Sequence, residues 1–212
     1  MFFNRKCKIT YICHGATIYT EEFKFSDSEL YPPLNEAGYD EIEKICGFLK
    51  LRGVKNNKIY TSPAARTLQS AEMIAKLYKK EYIVLEELHS KSYGIWNGFT
   101  VEQIISKNKS ALQEMYSNPD EKNFGEKESL NEFIARVRVI IDKIVENNAG
   151  NRIIIVTYPE VIQAAICNAI GIPAQNMNKI HIRTGSATQI SYYADCAILK
   201  YSGYIPLDAI HS

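Results

Sequence analysis

Three polar junctions in this chain carry side chains able to do chemistry. They are Cys13-His14-Gly15, Ser62-Pro63-Ala64-Ala65-Arg66 and Thr157-Tyr158-Pro159-Glu160. An imidazole can act as nucleophile or base, a thiolate can attack, a phenol can give up a proton and a guanidinium adds a cation. Each junction also has a plainer reading. His14 can cap a core strand with its ring bonded to backbone. Arg66 can pair with a surface carboxylate. Cys13 precedes His14 on a strand, where neighbours face opposite ways, so it can be core.

What makes the three junctions matter together is the elements that end in them. Lys8-Ile9-Thr10-Tyr11-Ile12 is rich in strand formers and stops at His14-Gly15, the pattern of a buried strand ending in a tight turn. Arg152-Ile153-Ile154-Ile155-Val156-Thr157 is a near-continuous apolar run, suited to a central parallel strand covered on both faces. If both are central and parallel, their polar ends meet at one sheet edge, the edge where open α/β sheets bind ligands.

Between them the chain alternates. Residues 16–33 are irregular, a long loop ending in Tyr31-Pro32-Pro33 at the ligand edge. A helix follows, capped by Asn35, with Ile42, Ile45, Cys46 and Leu49 on one face and Gly53 as its stop. Lys58–Thr61 reads as a strand. Pro63 suits the first position of the next helix, which runs to about Tyr78 and is expected to bury Leu68, Ala71, Met73, Ile74 and Leu77. Tyr82–Leu85 is a third strand, and a loop with the single Trp, Trp96, follows. Residues 99–127 read as a helical insertion over the ligand edge. A long amphipathic helix begins near Glu128-Ser129, with Phe133, Val137, Ile140, Ile141, Ile144 and Val145 as its stripe. After the strong strand come a helix closed by Gly171 and edge strands at 181–183, 188–192 and 197–199. The expected architecture is one α/β domain over residues 1–212, a three-layer α/β/α sandwich with a mostly parallel sheet.

Composition narrows the class. The 212 residues are 46% hydrophobic and 23% charged, with a net charge of +1. That balance leaves no footprint for nucleic acid, and no apolar run is long enough for a membrane span. The first residues carry charges where a signal peptide needs an apolar stretch. Five scattered cysteines without a C-x-x-C pair argue against a zinc site or a disulfide framework. They read as free thiols in a reducing, cytoplasmic setting. No metal or cofactor is expected, and the oligomeric state is left open.

Taken in order, several segments resemble the histidine phosphatase family, the phosphoglycerate-mutase-like fold. Ile12-Cys13-His14-Gly15-Ala16-Thr17 resembles R-H-G-x-T. Leu34-Asn35-Glu36-Ala37-Gly38 resembles L-T-x-x-G. Tyr60 through Ala71 is similar to S-x-x-x-R-A-x-Q-T-A. Gly94-Ile95-Trp96-Asn97-Gly98 resembles G-x-W-E-G, and Glu128-Ser129 resembles G-E-S. The resemblance spans roughly residues 7–195 and implies a reaction. In the family an imidazole attacks phosphorus, two arginines and a second histidine hold the phosphoryl oxygens, and a carboxylic acid protonates the leaving oxygen.

By that resemblance His14 stands at the nucleophile's place and Arg66 at the second arginine's. Cys13 replaces the first arginine, Ser90 the acid, and Tyr158 the second histidine. Thr20 stands where an asparagine often does, and Pro159-Glu160 replaces a Gly-Gly. The implied ligand-binding set is Cys13, Gly15, Thr17, Thr20, Ser90, Tyr158 and Glu160, around catalytic His14 and Arg66. Each lost donor costs about 10²–10³ in rate, and a lost acid roughly 10²–10⁴. The expectation is a degenerate member without efficient phosphomonoesterase or mutase activity. It would bind a small polar or phosphorylated molecule, or a protein partner. Two alternatives stand: a narrow phosphatase acting through a phosphohistidine at His14, with Glu86 or Glu87 as substitute acid, or a repurposed enzyme using the Cys13 thiolate.

Overall fold

A computed structural model of the chain describes residues 5–27, 32–122 and 124–206. The end of the expected loop at Tyr31 lies outside them. Strand β1 (Arg5–Cys13) leads into a one-turn helix, α1 (Ile18–Glu21), and then α2 (Glu36–Leu51). Next come β2 (Lys58–Thr61), α3 (Ala65–Tyr78) and β3 (Tyr82–Val84). Two short 3₁₀ turns, Glu86–Leu88 and Gly94–Trp96, precede α4 (Val101–Lys107) and α5 (Ala111–Ser117). The chain continues through α6 (Leu130–Asn147), β4 (Arg152–Thr157) and α7 (Pro159–Ile170). A 3₁₀ turn (Ala174–Lys179) and strands β5 (Ala187–Tyr193) and β6 (Ala197–Tyr204) end it.

The six strands form one sheet in the order β3-β2-β4-β1-β5-β6. The first four are parallel, while β5 and β6 join antiparallel. Alternation along β1 and β4 splits the core in two. Ile9, Tyr11, Cys13, Ile153 and Ile155 face α6 and α7, whereas Ile12, Ile154 and Val156 face α2 and α3. The sheet is therefore the middle of three layers, and its apolar strands are buried on both faces as their sequence requires.

Local chemistry fixes the helix ends. The Asn35 side chain accepts from the Gly38 N–H (2.9 Å), as expected of an N-cap. Ser129 and Glu132 form a reciprocal capping box at the start of α6. Gly171 closes α7 in the left-handed region, at φ 72°.

Three expectations fail. No strand forms at 181–183; these residues follow the 3₁₀ turn in a loop that the Gly185 N–H ties to the His14 carbonyl (3.0 Å). One buried residue, Ile182, between two exposed ones is too short a pattern to distinguish strand from loop. Pro63 is not the first residue of α3, because Ala64 is the N-cap. The innermost face of α3 is also more polar than expected. Arg66, Thr67 and Ser70 are buried there beside Ala71 and Ile74, while Leu68, Met73 and Leu77 are only half-buried. That polar half-face looks toward the ends of the strands.

Candidate active site

Strand register brings the three junctions together. Cys13 pairs with Thr157, and Thr61 with Val156. The His14 N–H bonds the Thr157 carbonyl (3.1 Å) and the Ser62 N–H bonds the Val156 carbonyl (3.1 Å). The Ser62 hydroxyl gives its one proton to the Leu88 carbonyl (2.7 Å). Thr157 must therefore donate across the 2.7 Å hydroxyl contact to Ser62. That chain of bonds ties β4, β2 and the 86–88 turn into one platform.

His14 stands at the end of β1, only 2% exposed. Its Nδ1 lies 2.7 Å from the Gly15 carbonyl. A carbonyl only accepts, so Nδ1 carries the proton and Nε2 is left with its lone pair. Burial, with the Arg66 charge acting the same way, lowers the imidazole pKa from 6.5 to about 3. The ring is thus neutral at physiological pH, with its basic nitrogen in the form a nucleophile needs. The backbone-bonded reading of His14 and the nucleophile reading describe the same ring.

Gly15 is required by packing. A Cβ there would lie 2.2 Å from the Gly38 carbonyl oxygen, so the start of α2 presses directly on this turn. The Gly15 N–H reaches Ser70 Oγ (3.2 Å), which donates to the Arg66 carbonyl (2.7 Å). The next N–H, of Ala16, bonds Glu41 (2.8 Å), and Glu41 also accepts from Thr184 (3.0 Å).

Arg66 is 2% exposed. Its guanidinium lies over the Tyr158 ring, 4.7 Å from the centroid, and donates to the carbonyls of Ser26 (3.2 Å) and Asp27 (3.3 Å). Buried to that degree, it is not the solvent-facing ion pair of the plainer reading. Tyr158 also meets His14 edge to face at 5.9 Å, so its ring touches both His14 and Arg66. Burial pushes the Tyr158 phenol up to about 12. Its hydroxyl lies toward Thr67 and the Ala64 backbone without a hydrogen bond of good geometry, and the buried Ser90 hydroxyl has none either.

Glu160 opens α7, 8% exposed. Burial raises its pKa from 4.5 to about 7; the helix backbone, Arg66 and Lys91 pull it back down, and Asp27 adds to the rise. Tyr93, and Tyr116 on α5, feel the Glu160 charge, which adds to what burial does to their phenols.

Other expected site residues make local contacts of their own. Thr17 and Thr20 form a reciprocal capping box on α1, with Thr17 N–H to Thr20 Oγ1 at 2.8 Å and Thr20 N–H to Thr17 Oγ1 at 3.3 Å. The Thr20 hydroxyl donates back to the Thr17 carbonyl (2.9 Å), so its proton is already engaged. Cys13 is fully buried in the core between the sheet and α6–α7, and burial drives its thiol well above the ordinary value, with Glu160 adding to the effect. That disfavours the thiolate a repurposed nucleophile needs. Glu86 and Glu87 are exposed on their 3₁₀ turn. The Arg136 guanidinium anchors that turn through the Glu87 (2.7 Å) and His89 (3.1 Å) carbonyls and is itself held by Glu128.

Two pairs, one buried and one part-buried, were not expected from the sequence. Lys91 (1% exposed side chain) bonds Glu126 (4%) and the Ser92 carbonyl, each at 3.0 Å. Asn97 and Asp27 bond each other twice, Asn97 Nδ2 to Asp27 Oδ1 (2.8 Å) and Asp27 N–H to Asn97 Oδ1 (3.1 Å). A charged residue following Ser90 could have hinted at the first. Among the described residues no three His, Cys, Asp or Glu side chains are grouped to hold a metal ion. Among them, too, no helix is long and apolar enough to cross a membrane.

The comparisons with known proteins agree with this architecture. Residues 9–203 match the model of the histidine phosphatase superfamily, branch 1. The chain is 27% identical over 192 residues to a putative phosphoserine phosphatase 2 of Hydrogenobacter thermophilus, covering 89% of this chain and 91% of that one. It is 23% identical to the bifunctional protein Rv2228c of Mycobacterium tuberculosis, of which it spans 53%. Among solved structures it is similar to a mutant phosphoserine phosphatase of Entamoeba histolytica in complex with phosphoserine. There the TM-score is 0.82 at 18% identity, over 93% of this chain and 96% of the other. A putative alpha-ribazole-5′-P phosphatase of Escherichia coli superposes with a TM-score of 0.78 at 19% identity, over 93% and 97%.

Proposed function

The chain belongs to the histidine phosphatase superfamily, and from that premise we propose that it keeps the family's strand-end pocket in a form retuned away from phosphate dianions. In this reading the pocket takes a small polar or singly charged ligand, and phosphomonoester turnover is far below that of a complete site. The observation that carries the reading is the Arg66–Tyr158–Glu160 group. The guanidinium already lies on the Tyr158 ring and bonds two backbone carbonyls. A carboxyl with a pKa of about 7 stands beside it. Once ionised, that carboxylate repels a dianion in a medium where charges interact strongly. Two buried hydroxyls without good partners, on Ser90 and Tyr158, suit a neutral or singly charged group that can donate and accept.

A second reading has its own support. His14 is neutral with Nε2 unprotonated, and Glu160 titrates near neutrality, as a general acid does. A narrow phosphatase working through a phosphohistidine at position 14 would use both, and related proteins carry phosphatase names.

One experiment separates the two. The protein is incubated with p-nitrophenyl phosphate and phosphoserine, and turnover is compared with that of His14→Ala. Intact-mass and peptide spectra are taken after acid-free quenching. The first reading expects equal, near-background rates and no phosphohistidine. Rapid turnover abolished by His14→Ala, with phosphate trapped on His14, would replace it with the second.

A further inference from the structure

Strand β3 ends the sheet. Among the described residues β2 is its one strand neighbour, through the pairs Ile59–Tyr82, Tyr60–Ile83 and Thr61–Val84. The Leu85 N–H donates to the Thr61 carbonyl (2.9 Å). Peptide groups alternate along a strand, so those of Ile83 also face β2, while the N–H and C=O of Tyr82 and Val84 face outward. A row of outward groups is a template for another strand. The side chains beside it are apolar and β-branched: Ile83 is 45% exposed and Val84 42%.

The flanks of this strand carry a charge pattern. The segment reads Lys79-Lys80-Glu81-Tyr82-Ile83-Val84-Leu85-Glu86-Glu87, with two cations and two anions at equal spacing on either side of Ile83. Lys79, Lys80, Glu86 and Glu87 are all exposed. Lys80 Nζ donates to the carbonyls of Asn56 (2.7 Å) and Asn57 (3.2 Å), which holds that charge between the starts of β2 and β3, and an ammonium has a third proton to give. The Glu86–Leu88 turn is held as well, by Arg136 on the Glu87 carbonyl and Ser62 on the Leu88 carbonyl.

We propose that a second copy of this chain docks on β3, the two strands running antiparallel about a twofold axis through Ile83. Such an interface is self-complementary. Tyr82 of each chain faces Val84 of the other, which forms four N–H···O bonds, and the two Ile83 side chains meet at the axis. In that register Lys80 stands opposite the second copy's Glu86, and Lys79 opposite its Glu87. Outward groups recur every two residues, so the neighbouring registers centre on Tyr82 or Val84. Centring on Val84 sets Glu81 against Glu87, like charges that oppose pairing. Centring on Tyr82 sets Lys80 against Val84 and Glu81 against Ile83, so no opposite charges face each other. Charge complementarity therefore selects Ile83 as the centre. With four hydrogen bonds and a small apolar contact the dimer is weak and reversible, with a dissociation constant on the order of 10–100 µM. Solvent-exposed ion pairs contribute little each and fade with salt, so they set register more than strength. The inference does not depend on what the His14 pocket binds.

Sedimentation equilibrium of the full chain, from about 5 µM to about 1 mM and at roughly 0.05 and 0.5 M sodium chloride, tests this. A monomer–dimer equilibrium is expected, about threefold or more weaker at the higher salt. Ile83→Asp sets two carboxylates on the axis, where the Cα atoms of such a pair stand about 4.5 Å apart, and abolishes the dimer. Val84→Pro removes an outward N–H, keeps the ladder to β2 and weakens the dimer about tenfold or more. Lys79→Glu/Lys80→Glu and Glu86→Lys/Glu87→Lys each self-associate about tenfold more weakly than wild type, because like charges then face each other. A 1:1 mixture of these two variants regains a heterodimer of near wild-type strength, since every facing pair is again opposite in sign, and that recovery shows that both are folded. Three results would overturn the proposal: a chain that stays monomeric up to about 1 mM; a dimer that Ile83→Asp and Val84→Pro leave unchanged; or charge variants that associate no better mixed than alone.

Discussion

Replacing Glu160 by Gln removes one buried titrating group and changes how stability depends on pH. Glu160 has its folded pKa raised from 4.5 to about 7. Between those values the native state holds a proton that the unfolded chain releases, so this group makes stability fall as pH rises. At 1.36 kcal/mol per pH unit the full effect is roughly 3 kcal/mol, complete above about pH 7. His14 acts in the opposite sense. Its folded pKa drops from 6.5 to about 3, so the unfolded chain binds the extra proton and stability is lost as pH falls from 6.5 toward 3. Between about pH 4.5 and 6.5 the two slopes oppose each other, and the wild-type curve is nearly flat there on their account. In Glu160→Gln the His14 slope stands uncovered: stability climbs from pH 4.5 to 6.5 and then levels. The variant is more stable than wild type at pH 8 by up to roughly 3 kcal/mol. Urea unfolding at half-unit intervals from pH 4 to 8.5, read by tyrosine and tryptophan fluorescence, measures this directly. Parallel curves for the two proteins, or a gain at pH 8 below about 0.5 kcal/mol, would refute the assignment of Glu160 as a buried, strained carboxyl.

Three further outcomes follow from other contacts. Glu126→Ala leaves the Lys91 charge buried and unpaired and lowers stability by about 3–5 kcal/mol, whereas the double variant Lys91→Met/Glu126→Leu stays within about 1–2 kcal/mol of wild type; urea midpoints at constant m-value report both. Gly38→Ala gains about 1 kcal/mol of helix propensity in isolation, yet it lowers the urea midpoint, because the new Cβ would stand 2.1 Å from the Ala16 carbonyl oxygen. In native protein the exposed Cys196 reacts with a thiol reagent within minutes, while buried Cys13 reacts only on unfolding; mapping the labelled peptide decides this, and rapid native labelling of Cys13 would revive a thiolate role for it.

The sequence by itself determined the parts set by near neighbours. The strand formers of β1, the near-continuous apolar run of β4, the Asn35 and Gly171 caps and the stripe of α6 each rest on spacing within one element, and all appear where their patterns place them. The order of short motifs was enough to identify the fold, because each motif occupies a fixed end of a fixed strand or helix. Tertiary structure decided what the polar residues do. Arg66 lies over the ring of Tyr158, which β4 delivers from the far end of the chain. Lys91 finds Glu126 across 35 positions, and Asp27 finds Asn97 across 70. Thr17 and Thr20 read as ligand groups, and in the fold they also cap α1. The 181–183 segment alternates like a strand, yet the chain there turns back on His14. In each case the deciding partner is distant in sequence or competes with a local backbone donor. Burial then sets the charge states of His14 and Glu160, since desolvation depends on everything packed around a group and on nothing its own neighbours in sequence reveal.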